Sequence, residues 1–435
     1  MTLLPKQILQ RLVEAGYAAY YVGGCVRDHL LGLTASDIDL ATSAIPFQIA
    51  ALFPAAKLNA VGKQYGVLLV DGIEVATFRG EAYLDPGKPL VYVVSNFAAD
   101  AARRDFTINA IAMDVNENLL DPFGGRQDIL ERQIRAVGKP RLRFEEDPIR
   151  ILRAVTFAAR FDFTLEANTQ NAMMQCADLL DSVPQERIGK ELHKMVDKRV
   201  LYKGLTMLTA CSLLSKVLPQ MCHLGAVAQN PAYHHLNAWE HTLAVLTYVE
   251  TKIPQDDALT WAALFHDCAK GLPDIRSIDP LSSQPSDHGH DVLGCQICEQ
   301  SMLGWEVVKA VRKQVGKLIA WHMSLPMEFT PEAVTAYLRH VSVEFKDIAE
   351  LRAFMKQLYL LKKADIMGKN PDQCEMRLSE LNTVWSMIEY ALEIIPFYLI
   401  QADIHGNGRS EKGPELGRKL QQLLVCAQTE ALNRW

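Results

Sequence analysis

The sequence is short of the features that mark a secreted or membrane-spanning protein. Nine cysteines are scattered through 435 residues, and their one close pair, Cys295-x-x-Cys298, has no second pair to complete a four-cysteine zinc site. Free thiols in a reducing cytosol are the expectation. No apolar run approaches the roughly 20 residues of a bilayer span, and residues 1–10 lack the charged and apolar regions of a secretory signal. The chain is therefore expected to be cytoplasmic, with no membrane partner, and nothing in it implies a protein partner. An excess of positive charge is also missing: 45 Lys and Arg against 51 Asp and Glu leave a net charge of −6. A basic coat over the whole surface is excluded, which leaves only local cationic stripes to hold a polyanion. Internal repeats and low-complexity segments are absent.

What is present is a globular composition, 49% hydrophobic, on a chain long enough for two to four domains. Strand and helix signals mix up to about residue 140, and almost everything after Arg141 reads as helix. Val67–Val70 and Ile73–Phe78 are β-rich and flank Asp71-Gly72, a pair suited to a type I′ hairpin turn. Tyr92–Val94 and Ala112–Val115 are further strand candidates, while Gly80–Pro89, which contains Asp85-Pro-Gly87, reads as a loop. Helical spacing then runs through Ile149–Phe163, Thr169–Leu180 and Glu186–Val196. A second helical block opens near Pro231–Thr242 and runs to about Gly368, with Asn370-Pro-Asp-Gln373 as its closing turn.

Three short constellations carry chemistry. Tyr21-Val-Gly-Gly-Cys-Val-Arg-Asp28 is followed by Ser36-Asp-Ile-Asp-Leu40. Residues two apart on a strand share a face, so Asp37 and Asp39 would set two carboxylates side by side for hard cations. Two Mg²⁺ ions held in this way clamp the attacking and leaving oxygens when a nucleotide is transferred from its triphosphate. Gly23 and Gly24 precede a helix-like stretch, Val26–Leu31, and their amides can cradle phosphate, although a plain tight turn reads the same. Arg103-Arg-Asp-Phe-Thr-Ile-Asn-Ala110 puts two cations and a carboxylate before Phe106 and Ile108, which would pack. In Glu145-Glu-Asp-Pro-Ile-Arg-Ile-Leu-Arg153, Pro148 suits the first helical position and Asp147 its N-cap. Asp147, Arg150 and Arg153 then lie on one helical face.

Taken in order with Asp121-Pro-Phe-Gly-Gly125 and Glu186-Arg-Ile-Gly-Lys-Glu191, these blocks resemble the class II tRNA nucleotidyltransferases, the CCA-adding enzymes and the related bacterial poly(A) polymerases. The resemblance covers roughly residues 18 to 195. It implies an α+β fold class: a small sheet-and-helix nucleotidyltransferase head at 1–140, then an all-α neck at 141–230, body at 231–369 and tail at 370–435. It also implies template-independent addition of CCA to tRNA 3′ ends from CTP and ATP. Asp37 and Asp39 would hold Mg²⁺, and Gly23, Gly24 and Arg27 would contact the triphosphate. Arg104, Asp105, Asn109 and Arg153 would lie around the nucleotide, with Arg104 and Asp105 at the ribose, and Asp147 and Arg150 would read the base. The base assignment also has a physical ground. Cytosine and adenine each offer an amino donor beside a ring-nitrogen acceptor, which a carboxylate and a guanidinium complement, whereas uracil and guanine offer the reverse order.

The later block has a different pattern. His241, His266, Asp267 and Asp365 match the H…HD…D order of HD-type metal-dependent phosphohydrolases, with His290 and His322 as further candidates for a second divalent ion of unassigned identity. Some members of the tRNA nucleotidyltransferase family carry such a body, with phosphatase and 2′,3′-cyclic phosphodiesterase activity. The resemblance favours tRNA as partner over mRNA ends, because poly(A) polymerases of this type lack the HD block and tend to be basic. Lys412-Gly-Pro-Glu-Leu-Gly417 resembles a C-terminal element of the family, whose helix N-terminus would meet a tRNA phosphate. Cys295, Cys298 and the pair His234-His235 receive no role. Between Arg79 and Ala102 the chain departs from the family pattern in a loop that helps switch the pocket from CTP to ATP. CC-only or A-only addition, poly(A) synthesis, and a protein that is mainly an HD phosphohydrolase therefore stand as alternatives. Glu74 is the nearest candidate for a third carboxylate, but it reads better as an exposed strand residue and is left out of the expected site.

Overall fold

The computed structural model describes residues 3–35, 37–54, 56–60, 66–281, 283–325 and 331–394. Packing divides the chain into two units, the first made of Met1–Lys198 and Lys203–Val217, the second of Arg199–Tyr202 and the residues from Leu218 on. The class is mixed α and β, a small sheet with helices followed by helices, as the motifs imply.

The first unit opens with α1 (Pro5–Glu14), β1 (Ala19–Val22), α2 (Gly24–Leu30), β2 (Asp39–Thr42), α3 (Pro46–Leu52) and β3 (Leu58–Ala60). Next come β4 (Val67–Val70), β5 (Ile73–Thr77), β6 (Arg79–Asp85), β7 (Lys88–Val93), α4 (Phe97–Ala101), β8 (Ala112–Met113), β9 (Leu119–Leu120), α5 (Gly125–Leu130) and β10 (Gln133–Ile134). The main sheet has the order β3-β4-β5-β2-β1-β8-β9. Asp71 and Gly72 take φ of 51° and 92° at the β4–β5 turn, the left-handed values of a type I′ hairpin. One sheet face receives Ile8, Leu9 and Leu12 of α1 over Leu40, Val70 and Val75. The other carries Val22, Ala41, Phe78, Phe97 and Ala112. Truncating one of the larger of these buried side chains to alanine costs about 2–5 kcal/mol.

Two expectations need correction here. Gly80–Pro89 is not a loop. It lies within the β6–β7 hairpin, paired Arg79↔Val93 through Asp85↔Lys88, with Pro86 and Gly87 as a two-residue turn and Gly87 at φ 74°. The Asp-Pro-Gly signal was sound as a turn, but the strands on either side extend further than composition suggested. Leu84, Leu90, Tyr92 and Val93 point to solvent, so no buried alternation announced them. The other strand candidates settle at Lys88–Val93 and Ala112–Met113.

The helices that complete this unit are α6 (Pro140–Glu146) and α7 (Ile149–Phe161), followed by strand β11 (Thr164–Leu165), then α8 (Ala167–Gln175), α9 (Gln185–Asp197), α10 (Leu201–Ala210) and α11 (Leu214–Val217). The expected helix Thr169–Leu180 is α8 followed by a 3₁₀ turn at Ala177–Ser182. Asp147 is not the N-cap of α7: it is the C-cap of α6 in an extended conformation, and Pro148 occupies the capping position. Its carboxylate is engaged elsewhere, as described below.

The second unit is helical: α12 (Ala238–Lys252), α13 (Asp257–Phe265), a short hairpin β12 (Ser277–Ile278) and β13 (Pro285–Ser286), α14 (His290–Gly304), α15 (Lys309–Trp321), α16 (Pro331–Ser342), α17 (Ile348–Met367) and α18 (Pro371–Ile394). Asn237 and Glu240 form a capping box at α12, and Asp256 and Asp347 cap α13 and α17. Asn370 accepts from the Asp372 N–H and turns the chain tightly from α17 into α18. The segment Lys412–Gly417 lies outside the described residues.

Candidate active site and candidate metal centre

In the first unit, sheet register gathers the carboxylates. β1 pairs antiparallel with β2, setting Val22 opposite Asp39, and β2 pairs parallel with β5, setting Asp39 opposite Glu74. Gly23, Asp39 and Glu74 therefore share one end of the sheet. Asp37 precedes the strand rather than lying in it, yet it lines the same cavity of about 870 Å³ as Asp39 and Glu74. Burial, then Glu74, then Asp37 push the Asp39 carboxyl above its usual range, and Arg104 opposes them. Three acids face one space and repel one another there, which is the electrostatic condition that a bound cation relieves.

Around them the cavity is lined by Gly23, Gly24, Arg27, Arg104, Asp105, Asn109, Asp147, Arg150 and Arg153, so all the residues expected at the nucleotide converge. Gly23 has φ 72°, and a Cβ there would come within 3.0 Å of Arg104 Nη1. Arg27 is buried, bonds Asp28 and, at 2.6 Å, Asn109 Oδ1, and lies over the Phe157 and Phe161 rings. Asn109 in turn donates to Asp105, which also accepts from the Phe106 N–H and from Arg153. Burial alone would raise the Asp105 carboxyl, but Arg153, Asn109 and the Phe106 amide bring it down to about 2. Arg104 is clamped on Asp100 and donates to the Asn109 carbonyl.

At the far end, Asp147 accepts a bidentate pair from Arg187 at 2.9 and 2.8 Å. Arg150 donates to Glu146 Oε2, to the Arg103 carbonyl and to the Tyr83 hydroxyl, and lies 5.9 Å from the Tyr83 ring centre. Sequence reasoning assigned no role to Arg187, Glu81, Tyr83 or Glu191, which line the cavity too. Arg187 and Glu191 were within a quoted block but carried no local signal, being 40 and 38 positions from Asp147 and Arg153, the groups they serve. Asp121-Pro-Phe-Gly-Gly125 serves the fold: Asp121 accepts from the Gly125 and Arg126 amides, and a Cβ on Gly125 would meet the Thr107 carbonyl oxygen at 2.1 Å.

In the second unit, six predicted residues come together. His241 and His266 approach Nε2 to Nε2 at 3.4 Å, and His290 and His322 at 3.3 Å. Asp267 stands between the pairs: Oδ2 lies 3.3 Å from His266 and 3.7 Å from His241, and Oδ1 lies 3.3 Å from His290 and 3.8 Å from His322. Asp365 Oδ1 is 3.2 Å from His241 Nε2, and its Oδ2 holds Lys362 and Lys369. Burial works against the two acids, but the surrounding cations and imidazoles hold both Asp267 and Asp365 well below the carboxylate range.

The tautomers decide what this cluster can do. The four Nδ1 atoms lie 3.0, 2.8, 2.6 and 2.6 Å from the carbonyls of Gly368, Ala263, Asp287 and Ile319, for His241, His266, His290 and His322 respectively. A carbonyl can only accept, so the neutral form of each ring carries its proton on Nδ1 and turns the Nε2 lone pair inward. Facing lone pairs repel unless a cation lies between them. Metal–nitrogen bonds of about 2.0–2.1 Å at a tetrahedral angle set ligand nitrogens about 3.4 Å apart, which is the spacing here. The donor set therefore fits one divalent ion on His241, His266 and Asp267, and a second on Asp267, His290 and His322. Cys295 and Cys298 are free thiols on α14, both pushed up by burial, and do not join the cluster.

A mixed-acid cleft at a sheet end, followed by a helical histidine cage, defines a nucleotidyltransferase-type head joined to an HD body. Family models agree: the "Poly A polymerase head domain" matches residues 19–135, the "Probable RNA and SrmB- binding site of polymerase A" 162–224, and the "HD domain" 238–341. A CCA-adding enzyme of Geobacillus sp. (strain WCH70) is 42% identical over 212 residues, 47% of this chain and 52% of its own length. The CCA-adding enzyme of Bacillus subtilis (strain 168) is 41% identical over 222 residues, 50% and 55% respectively. The chain spans about half the length of the curated relatives it matches. A solved CCA-adding enzyme from Bacillus stearothermophilus, in complex with CTP, superposes with a TM-score of 0.60 at 25% identity, covering 99% of this chain and 94% of that one. The chain thus matches a poly(A)-polymerase-type head model, an RNA-binding model and an HD model in succession, and over about half of its length it is similar to bacterial CCA-adding enzymes. Among the described residues, no helix is long and apolar enough to cross a membrane.

Proposed function

We propose that the chain adds CCA to the 3′ end of tRNA from CTP and ATP, in the cytoplasm, without a nucleic-acid template. The observation that carries this reading is the single cavity that joins Asp37, Asp39 and Glu74 to the phosphate-side glycines and Arg27 and to the base-side Asp147 and Arg150. Mg²⁺ held by Asp37 and Asp39, with Glu74 as the third acid, would supply charge neutralisation and activate the attacking hydroxyl. Gly23, Gly24 and Arg27 take the triphosphate, Arg104, Asp105 and Asn109 the ribose side, with Arg153 holding Asp105, and Asp147 and Arg150 the base side. For Asp147 to read a base it exchanges one Arg187 contact for an amino donor. A mismatched base leaves each group unpaired, at about 1–3 kcal/mol apiece. The division of labour is a head at 1–140, a neck for base recognition and RNA at 141–230, an HD body at 231–369 and a tRNA-binding tail from 370.

The body carries a second proposed activity, a phosphatase or 2′,3′-cyclic phosphodiesterase, favoured by the inward-turned Nε2 lone pairs around Asp267. The test is a gel assay with Mg²⁺ on tRNAs ending at the discriminator base, at C and at CC, each given CTP, ATP or both. Growth to CCA from the shortest substrate is expected. Arrest at CC, or extension of the CC end alone, reassigns the chain to partial CC- or A-adding enzymes, and long A tails to poly(A) synthesis. His266→Ala run beside it should abolish phosphoester hydrolysis and spare addition.

A further inference from the structure

One buried polar atom in the body has no partner in either proposed activity. His234, which sequence reasoning left aside, packs edge-to-face on His241 with ring centres 4.9 Å apart, and among the described residues its buried Nδ1 has no hydrogen-bond partner. The neighbouring His235 is exposed. His234 lies outside both ligand triplets. Its turn is anchored from several sides: His234 N–H donates to the Asn230 carbonyl, the Tyr233 carbonyl accepts from the Asn370 amide, Gln373 donates to the Ala232 carbonyl, and Arg377 lies 4.8 Å over the Tyr233 ring. The imidazole is thus fixed beside the point where α17 turns into α18.

Around it stand Lys270, Lys369, Asp365 and His241. Lys270 Nζ is 2.7 Å from Asp267 and Lys369 Nζ 2.9 Å from Asp365, so the ammonium groups line the same wall as the metal-facing carboxylates. The unpartnered ring nitrogen offers a directed donor beside the Lys270 and Lys369 side chains, and the ligand that uses both is an oxyanion.

Resting on the HD reading of this body, we propose that His234 is a substrate-contacting residue whose Nδ1–H binds a non-bridging oxygen of a phosphate ester from outside the metal ligand set, next to Lys270 and Lys369. It binds the phosphoryl group and holds no metal. Its loss therefore weakens phosphate and ester binding and leaves the metal in place.

The probe is inorganic phosphate, titrated calorimetrically into the Mn²⁺-loaded full chain, with bound Mn²⁺ measured in parallel. His234→Phe keeps the ring volume and removes the donor; His234→Asn restores an amide N–H near the Nδ1 position. About tenfold weaker phosphate binding is expected in H234F, with most of it recovered in H234N and Mn²⁺ content equal to wild type. With 2′,3′-cyclic AMP as substrate, the matching change falls on KM and leaves kcat within a few fold. Phosphate affinity within twofold of wild type in H234F overturns the proposal, as does loss of Mn²⁺ from that variant or absence of phosphate binding in wild type. H266A separates the two readings. If it keeps wild-type Mn²⁺ and hydrolysis, the HD metal reading falls, while the H234F phosphate comparison still decides the role of His234.

Discussion

Asp39→Asn gives the sharpest test of the head. Asp39 faces Glu74 across paired strands and has Asp37 nearby, so removing its charge relieves repulsion. Carboxylates on neighbouring strands sit about 5 Å apart. Coulomb's law then gives about 0.8 kcal/mol at the dielectric of water and about 3 kcal/mol at a dielectric of 20. Glu74 is exposed, so the low end applies, and D39N should stabilise the metal-free chain by about 1 kcal/mol, less at high salt. Mg²⁺ should do the same for wild type: at ten times Kd, binding to the native state adds about 1.4 kcal/mol. D39N should lose that gain together with nucleotide addition. The assay is urea denaturation of the full chain with and without Mg²⁺, followed by far-UV circular dichroism. If D39N is destabilised without metal, or gains from Mg²⁺ as much as wild type does, the three acids are not a cation site and the reasoning fails.

Three further outcomes can be measured. The Asp105 carboxyl is depressed to about 2 from 3.8, which corresponds to roughly 2.5 kcal/mol of stability. Because the folded value is the lower one, this contribution is complete above the unfolded pKa and is lost as pH falls through 3.8 toward 2; Arg153→Met should flatten the wild-type loss over that window in acid titrations of the denaturation midpoint. Gly125→Ala drives a methyl into the Thr107 carbonyl oxygen and should cost about 1–3 kcal/mol or more, visible as a lower urea midpoint; an unchanged midpoint would show that the Thr107–Asn109 turn yields freely. Asp147→Ala should let UTP and GTP compete in single-nucleotide assays while Mg²⁺ dependence persists, and unchanged selectivity would remove Asp147 from base reading.

Local patterns in the sequence carried much of this structure. Asp71-Gly72 announced its hairpin because only a left-handed turn closes two such strands, and the spaced histidines and aspartates of the body were legible because ligand chemistry restricts residue type. Pairing across the chain was not legible. Glu74 joins Asp39 through a parallel β2–β5 ladder that no local periodicity encodes, and Arg187 reaches Asp147 only once α9 packs on α7. Asp147 was misplaced because an N-cap and a C-cap share the same sequence, Asp before Pro, where two helices meet end to end. His234 was set aside with His235 as a pair flanking the pocket one turn before His241, and no local pattern distinguishes its half-buried ring from the exposed one beside it.

Three of the four cage histidines, His266, His290 and His322, bind through Nδ1 to the carbonyl three positions earlier in the chain. Each ligand thus travels with its own anchor and does not depend on a neighbour to aim it. Such a centre is modular. With a metal bound there, one ligand could be exchanged for another without the rest swivelling, and a lineage, or an engineer, could alter the metal preference one position at a time.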